Sequence, residues 1–262
     1  MLATVSALEF EHVARAFPAR GGGGDLVAIT DVSFRVKPQE FVAIVGPSGC
    51  GKSTILNLTA GLDGPTTGTV RVSGDKVTGP NAHVGFMLQK DLLLPWRSIV
   101  RNVEFGLEAR DVSRAERRER AMAELERCKL AEFAHHYPYQ LSGGMRQRAA
   151  LARTLAIRPD IVLLDEPFSA LDAQTKMLLQ RSFGETISAS GVTALLITHD
   201  LAEAVAMSDR ILVMSDRPGR IVEEIAVDLP DRNNPIARRG HPRTGQFITR
   251  LFELLKLDER TE

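Results

Sequence analysis

The chain has 262 residues, and its 33 lysines and arginines balance its 33 aspartates and glutamates. Its length allows a substantial buried core, and the balanced charge indicates neither a nucleic-acid nor a lipid partner. No segment approaches the roughly 18 consecutive apolar residues of a membrane-spanning helix, and the N-terminus lacks a signal-peptide pattern, so we expect any membrane association to go through a partner. Cys50 and Cys128 fit no metal or disulfide spacing, which favours a reducing cytosol.

The first 90 residues predict several strands and one helix. Apolar residues alternate with polar ones, as in half-exposed strands, at Leu8, Phe10, Val32, Phe34, Val36, Val70 and Val72. The glycines 21–24 predict a flexible loop, and the continuous apolar run 41–45 predicts a strand buried on both faces. A helix over about 52–60 ends at Gly61, a residue favoured at helix C-termini.

Residues 91–157 have a different, mainly helical pattern. Ser113 and Glu116 predict a capping box, after which apolar residues recur on one helical face. Buried-strand patterns return at 161–164 and 194–197, and helical sequence links them. Alternating helices and buried strands predict an α/β fold with a mainly parallel sheet.

The C-terminal part predicts two more strands and a short helix. Residues 211–214 and 221–227 flank a turn at Pro218-Gly219. In the polar tail, one helical stripe is expected to pack back on the domain; it consists of Phe247, Leu251, Leu254 and Leu255. The predicted division is a core of 1–90 and 158–227, an inserted helical subdomain 91–157, and a C-terminal extension 228–262.

Residues 46–53, GPSGCGKS, match a phosphate-binding P-loop between an apolar strand and a helix. Backbone N–H groups of residues 49–53 can cradle a β-phosphate at the helix start. Lys52 would neutralise β- and γ-phosphate oxygens, and Ser53 would ligate Mg²⁺. Cys50 is interpreted as a passive loop residue, although a helix N-terminus can lower a thiol pKa and make it reactive.

Asp165 and Glu166 directly follow the buried run 161–164. At the carboxyl end of a parallel strand, Asp165 would face the crevice and reach Mg²⁺ directly or through water. Glu166 would point to the opposite side and polarise an attacking water. His199 follows another buried strand and should emerge on the same edge, where it could contact a γ-phosphate.

Two further motifs allow either a functional or a structural interpretation. Gln89 follows a strand-like segment; its amide could touch Mg²⁺ or water, or it could be an ordinary polar loop residue. Ser142, Gly143 and Gly144 precede a helix that begins near Met145. They could hold a second phosphate, or they could form an ordinary helix cap.

Together these motifs resemble the nucleotide-binding subunit of ATP-binding-cassette (ABC) transporters over nearly the whole chain. The matching segments are the P-loop GPSGCGKST (46–54), the glutamine loop around Gln89, the signature LSGGM (141–145), IVLLDEP (161–167), SALD (169–172) and ITHD (197–200). The resemblance implies a P-loop NTPase (RecA-like) core with an N-terminal antiparallel β subdomain and an inserted α-helical subdomain.

The resemblance also implies a head-to-tail dimer in which each ATP lies between one P-loop and the other subunit's signature. The ATP-binding residues would be Phe17, stacked on adenine, with Gly46, Pro47, Ser48, Gly49, Cys50, Gly51, Lys52, Ser53 and Thr54. The residues contacting the partner's ATP would be Leu141, Ser142, Gly143, Gly144 and Met145. The resemblance further implies that Glu166 is the general base and that His199 and Gln89 make catalytic contacts. The implied Mg²⁺ ligands are Ser53, Gln89 and Asp165, and Asp172 would couple the two sites across the dimer.

The chain departs from the commonest family pattern at Met145, where many members have glutamine, and at Pro38-Gln39-Glu40, which replaces a frequent Pro-Gly-Glu turn. Met145, QKDLLLPW (89–96) and RPGRIVEEI (217–225) together are similar to the nitrate, sulfonate and taurine importer branch. Trp96, the only tryptophan, would either line a groove for a membrane subunit or pack inside the insert.

The function implied by the resemblance is an ATPase subunit at the cytoplasmic face of the membrane that energises uptake of a small anionic solute. Its partners would be a second cassette, membrane permease subunits and, indirectly, a periplasmic or extracellular solute-binding protein. The alternative is a soluble ABC-type ATPase acting on nucleic acid or the ribosome, but such proteins need a long inserted coiled coil or two cassettes per chain. A P-loop kinase or GTPase leaves the LSGGM segment and His199 unexplained.

Overall fold

The computed structural model describes residues 5–18 and 24–255. Within them the strands are β1 (Leu8–Phe17), β2 (Leu26–Val36), β3 (Phe41–Val45), β4 (Thr67–Val72), β5 (Asp75–Lys76), β6 (Val84–Met87), β7 (Ile161–Asp165), β8 (Thr193–Ile197), β9 (Arg210–Met214) and β10 (Ile221–Ala226). The α-helices are α1 (Lys52–Ala60), α2 (Ile99–Glu108), α3 (Arg114–Arg127), α4 (Gly143–Ala156), α5 (Ala173–Ser190), α6 (Leu201–Met207), α7 (Pro235–Arg239) and α8 (Thr244–Leu255). Gly21, Gly22 and Gly23 of the predicted loop lie outside the described residues.

The larger sheet has the strand order β10-β9-β3-β8-β7-β6, and its neighbours are parallel except for β9 and β10. Strands β3 and β8 are buried along their whole length, as their continuous apolar sequences predict. The carboxyl ends of β3, β7 and β8 therefore meet at one edge of the sheet. The predicted α/β core with a mainly parallel sheet is confirmed.

The smaller sheet is antiparallel and has the order β2-β1-β4-β5. Phe10 on β1 and Phe34 on β2 stack with ring centroids 4.7 Å apart. These rings belong to one buried cluster with Ile55 and Leu56 of α1 and with one face of the larger sheet. The N-terminal strands are thus joined to the helix that follows the P-loop through a shared core.

Helices α2, α3 and α4, which follow β6 and precede β7 in the sequence, pack on one another. The Ser113 hydroxyl accepts a hydrogen bond from the Glu116 N–H at 3.2 Å, so α3 begins where the predicted cap lies. Ala121, Leu125 and Cys128 are buried on the face that packs inward. Burial raises the pKa of the Cys128 thiol to about 12, which keeps it protonated.

The C-terminal helix α8 packs against α6 and β9, as its apolar stripe predicts. Leu251 and Leu255 are buried in a cluster with Val205 and Ile211. Nearby, the Arg238 guanidinium donates to the carbonyl oxygens of three residues, Ser208, Leu229 and Pro230. Among residues 5–18 and 24–255, none of the helices combines the length and apolar character that a bilayer crossing requires.

Replacement of Leu251 by alanine should lower the free energy of unfolding by about 3 kcal/mol, because it leaves a cavity in a closed core. Phe252 on the same helix is 42% exposed, whereas Leu251 is fully buried. Phe252→Ala is therefore the matched control, with an expected loss below about 1 kcal/mol. Urea denaturation measures both variants, and equal losses would contradict the packing of α8 on the core.

Candidate functional site

The P-loop, residues 46–53, connects the buried strand β3 to helix α1. Gly51 has a φ of +101°, and a Cβ there would lie 2.3 Å from Ile29 Cγ2, so only glycine fits. Lys52 Nζ donates to the carbonyl oxygens of Gly46 at 2.8 Å and Pro47 at 2.9 Å. The loop is therefore wrapped around its own lysine, with backbone N–H groups at the start of α1, a geometry suited to phosphate.

A crevice of about 330 Å³, here called the P-loop crevice, lies beside this loop. Its walls include Phe17, Ser48, Gly49, Gly51, Lys52, Ser53, Thr54, Glu166 and Arg217. The structure thus brings together the P-loop, the aromatic residue at the end of β1 and the carboxylate after β7. The Arg15 guanidinium lies 4.6 Å from the centroid of the Phe17 ring. The sequence predicted the listed wall residues except Arg217, which was noted only as part of the RPGRIVEEI segment (217–225) that is similar to one importer branch.

The side chain of Cys50 is fully buried behind the P-loop. Burial raises the pKa of its thiol, and the nearby charge of Lys52 only partly offsets this effect. A buried, protonated thiol is a poor nucleophile. The lowered thiol pKa that a helix N-terminus could give Cys50 is therefore not found, because burial outweighs that influence.

Asp165 and Glu166 lie at the carboxyl end of β7, where Asp165 pairs with Ile197 of β8. Burial raises the pKa of Asp165, the neighbouring Glu166 raises it further, and Lys52 opposes both effects. Glu166 has a φ of +45°, and its N–H donates to the Ile197 carbonyl at 3.0 Å. Strand β7 ends at Asp165, and the local turn at Glu166, more than strand alternation, brings Glu166 to the wall of the P-loop crevice.

A chain of contacts joins Gln89, Glu166 and His199 at this edge. Gln89 Nε2 donates to Ser169 Oγ at 3.0 Å, and Ser169 Oγ donates to the Glu166 carbonyl oxygen at 3.0 Å. The Glu166 carboxylate lies 3.1 Å from His199 Nδ1. Residues named separately from the sequence are therefore neighbours. Ser169 links them, a role that the SALD segment (169–172) did not indicate from the sequence.

The signature segment lies apart from the P-loop crevice. Ser142 Oγ accepts from the Met145 N–H at 3.4 Å, and α4 begins at Gly143, two residues before the predicted start. Ser142 and Gly144 line a different pocket of about 320 Å³, which shares none of its walls with the P-loop crevice. A Cβ on Gly144 would lie 3.2 Å from Thr175 Cγ2, so a larger residue there would require the Thr175 side chain to shift by a few tenths of an ångström. One chain thus holds the P-loop and the signature segment at separate places.

The sequence profile of the ABC transporter family matches residues 29–169. The chain belongs to the ABC transporter family. Among its relatives, the nitrate import ATP-binding protein NrtD of Synechocystis sp. is 44% identical over 97% of both chains. The taurine import ATP-binding protein TauB of Yersinia pestis is 45% identical over 78% of this chain and 80% of its own.

Solved structures of the ATP-binding cassette MJ0796 share the fold of this ABC protein. One is a dimeric post-hydrolysis state bound to ADP and Pi, with a TM-score of 0.72, 33% identity, and coverage of 85% of this chain and 99% of that chain. A second dimeric structure of the same cassette matches with a TM-score of 0.72 and 34% identity. The predicted family, fold class and ATPase activity are therefore confirmed.

Trp96 of this ABC cassette lies on the surface of the segment between β6 and α2. It is 73% exposed, so the alternative that it packs inside the helical insert is wrong. The adjacent segment is held by Arg153, which donates to the carbonyl oxygens of Asp91 at 2.6 Å and Leu92 at 2.7 Å. The exposed ring therefore sits on a segment anchored to the signature helix α4.

A partly buried charge cluster joins helix α5, which Asp172 caps, to helix α6, which begins just after His199. Lys176 Nζ lies 2.8 Å from an oxygen of Asp200 and 2.9 Å from an oxygen of Glu203. Burial raises the pKa of Glu203, and Lys176 opposes that rise. Burial alone would also raise the pKa of Asp200, but the Lys176 hydrogen bond lowers it overall.

Replacement of Lys176 by methionine should lower the free energy of unfolding by about 3 kcal/mol, because Glu203 would keep a buried carboxylate without its cation. Lys129 makes an ion pair with Glu185 on the surface, at 3.4 Å. Lys129→Met is the matched control and should cost less than about 1 kcal/mol. The comparison is made by chemical denaturation at pH 7, and a loss at Lys176 no larger than that at Lys129 would rule out the buried pair.

Proposed function

We propose that this chain is the ATP-binding and ATP-hydrolysing subunit of an ABC importer for a small anionic solute. The observation that carries the proposal is the P-loop crevice, in which Lys52 and Ser53 face Glu166, with His199 in contact with Glu166. The nitrate and taurine import proteins among the relatives support the importer role. Their names support a small anionic cargo, as Met145 and the segments 89–96 and 217–225 also do.

In this proposal the β- and γ-phosphates of ATP lie against the P-loop amides and Lys52. Glu166 acts as general base for the attacking water, since a carboxylate in reach of the crevice can accept its proton. His199 orients Glu166 through the 3.1 Å contact and reaches the γ-phosphate. Phe17, half-buried at the crevice wall, offers a ring face to the adenine base.

Ser53, Gln89 and Asp165 are the residues that would hold Mg²⁺. A hydroxyl, an amide oxygen and a carboxylate are the hard oxygen ligands that Mg²⁺ prefers, so the donor set fits the ion. The raised pKa of Asp165 reflects a half-buried carboxylate beside Glu166, a place where a cation is electrostatically favourable. When bound, the ion would neutralise negative charge on the phosphate oxygens.

The separate position of the signature supports a head-to-tail dimer, in which each signature meets the P-loop crevice of the other subunit. Ser142, Gly143 and Gly144 would then contact the partner's γ-phosphate, with Leu141 and Met145 flanking them. Asp172, exposed at the start of α5, would couple the two sites. The dimeric structures of the similar cassette support this arrangement.

The same proposal places the subunit at the cytoplasmic face of a membrane, on permease subunits that receive solute from a separate binding protein. Exposed Trp96 and the segment anchored by Arg153 form a candidate surface for a permease. ATP-driven closure of the dimer would move this surface, and hydrolysis would release it. Action on nucleic acid or the ribosome is not supported, because relatives that span 97% of this chain carry importer names.

Replacement of Glu166 by glutamine should leave ATP binding intact but reduce turnover at least a hundredfold, because the amide cannot accept the proton. The variant should also accumulate as an ATP-bound dimer. Turnover is measured by phosphate release, and the dimer by light scattering after size exclusion. Glu126→Gln, an exposed change on α3, is the control. Rapid hydrolysis by the Glu166 variant would contradict the assignment of Glu166 as the general base.

Replacement of Ser142 by alanine should reduce hydrolysis about tenfold or more while sparing nucleotide binding to the isolated monomer, because the lost contact is made to the partner's ATP. The change also removes a helix cap, so the control must remove a cap elsewhere. Ser113→Ala does this at α3, where the hydroxyl accepts from Glu116. Equal hydrolysis rates for the two variants in the assembled transporter would count against the shared site.

A further inference from the structure

The turn that follows β9, residues 215–220, packs directly against the outside of the P-loop. Gly219 exchanges hydrogen bonds with β2, donating to Ala28 O at 2.9 Å and accepting from Thr30 N–H at 2.9 Å. A Cβ on Gly219 would lie 1.9 Å from the carbonyl oxygen of Cys50, so only glycine allows this approach. The turn is therefore fixed on both sides, and Arg217 extends from it at a defined position.

Arg217 binds the P-loop backbone with two donors. Its Nε lies 3.0 Å and its Nη2 lies 2.8 Å from the carbonyl oxygen of Gly49. A guanidinium has five N–H donors in a rigid plane, so this contact leaves others available. The acceptor is a neutral carbonyl, and the contact therefore leaves the positive charge of Arg217 in the wall of the P-loop crevice.

The contact determines which way one P-loop peptide faces. In a planar trans peptide, the carbonyl oxygen of Gly49 and the N–H of Cys50 point in opposite directions. Arg217 binds the oxygen on one side of this peptide, and on the other side the Cys50 N–H donates to the Pro47 carbonyl oxygen at 3.3 Å, a long hydrogen bond. A phosphate oxygen in the loop would replace that weak acceptor, as the backbone N–H groups of a P-loop bind phosphate.

We propose that Arg217 is a positioning residue for nucleotide: it holds the Gly49–Cys50 peptide in its phosphate-binding orientation and adds positive charge to the crevice. The inference rests on the proposed ATP-binding function. In the proposed ATP site, this part of the loop would face the β-phosphate, which ATP and ADP share. Arg217 thus supports binding of nucleoside di- and triphosphates alike, and it acts on affinity more than on the chemical step.

The test compares Arg217→Ala, Arg217→Lys and Arg220→Ala in the full chain. Arg220 lies in the same turn and is exposed, but among the described residues its side chain makes no hydrogen bond to the P-loop. Affinities for fluorescent ribose-labelled ATP and ADP are measured by titration, KM and kcat by phosphate release, and folding by thermal denaturation. Lys52→Ala provides the reference for a disabled P-loop.

Arg217→Ala should weaken ATP and ADP binding by the same factor, about tenfold, and raise KM with kcat changed less than about twofold. Arg217→Lys should recover part of the loss, because lysine keeps the charge but not the planar pair of donors. Arg220→Ala should bind as the unaltered protein does. A melting temperature of Arg217→Ala close to that of the unaltered protein shows that the loss of affinity is local. If Arg217→Ala melts at a lower temperature, the test rests on Arg217→Lys, which should stay folded and bind nucleotide with intermediate affinity.

Three results would overturn the proposal: unchanged affinities in Arg217→Ala, a loss confined to ATP, or an equal loss in Arg220→Ala. A loss confined to ATP would mean that the residue acts at the γ-phosphate instead of the shared β-phosphate. Failure of the proposed function itself has a different signature. In that case the unaltered protein and Lys52→Ala would bind both nucleotides equally poorly.

Discussion

The parallel pairing of β3, β8 and β7 is the constraint on which the functional site depends. Ile44 pairs with Ile197, and Ile197 pairs with Asp165, so the three strands end at one level. Within two residues of that level, β3 leads into the P-loop, β7 is followed by Glu166, and β8 is followed by His199. Parallel strands need long crossovers, so these segments lie far apart in sequence and still meet at one edge.

The P-loop is also shaped from outside by contacts that tolerate no side chain. Gly51 approaches Ile29 of β2, and Gly219 approaches the Cys50 carbonyl. The antiparallel sheet and the turn after β9 therefore both pack against the loop. Within the loop, Lys52 donates hydrogen bonds to the backbone. Because protein interiors are close-packed, the loop cannot change shape without moving these neighbours. The nucleotide site is thus a property of both sheets.

In the proposed dimer, the signature and the charge cluster would make the site depend on a second subunit. Ser142 lines a pocket that shares no wall residue with the P-loop crevice, so in this proposal a single chain would supply one half of each of two composite sites. Lys176 ties the helix capped by Asp172 to the helix that follows His199. In the proposed dimer, Asp172 would meet the partner while His199 serves its own chain. The buried ion pair would then require the two segments to move together.

The sequence by itself determined the buried strands, the P-loop, the helix caps and the positions of the candidate carboxylates, because these depend on local spacing, polarity and turn chemistry. It did not determine that Ser169 links Gln89 to Glu166, that Arg217 holds Gly49, or that Lys176 neutralises Glu203, because ordinary polar residues acquire such roles only from distant partners. The tertiary packing likewise decided that the side chain of Cys50 is buried and that of Trp96 is exposed. Local pattern selects the elements, and only the register of the sheet and the packing around it decide which side chains meet.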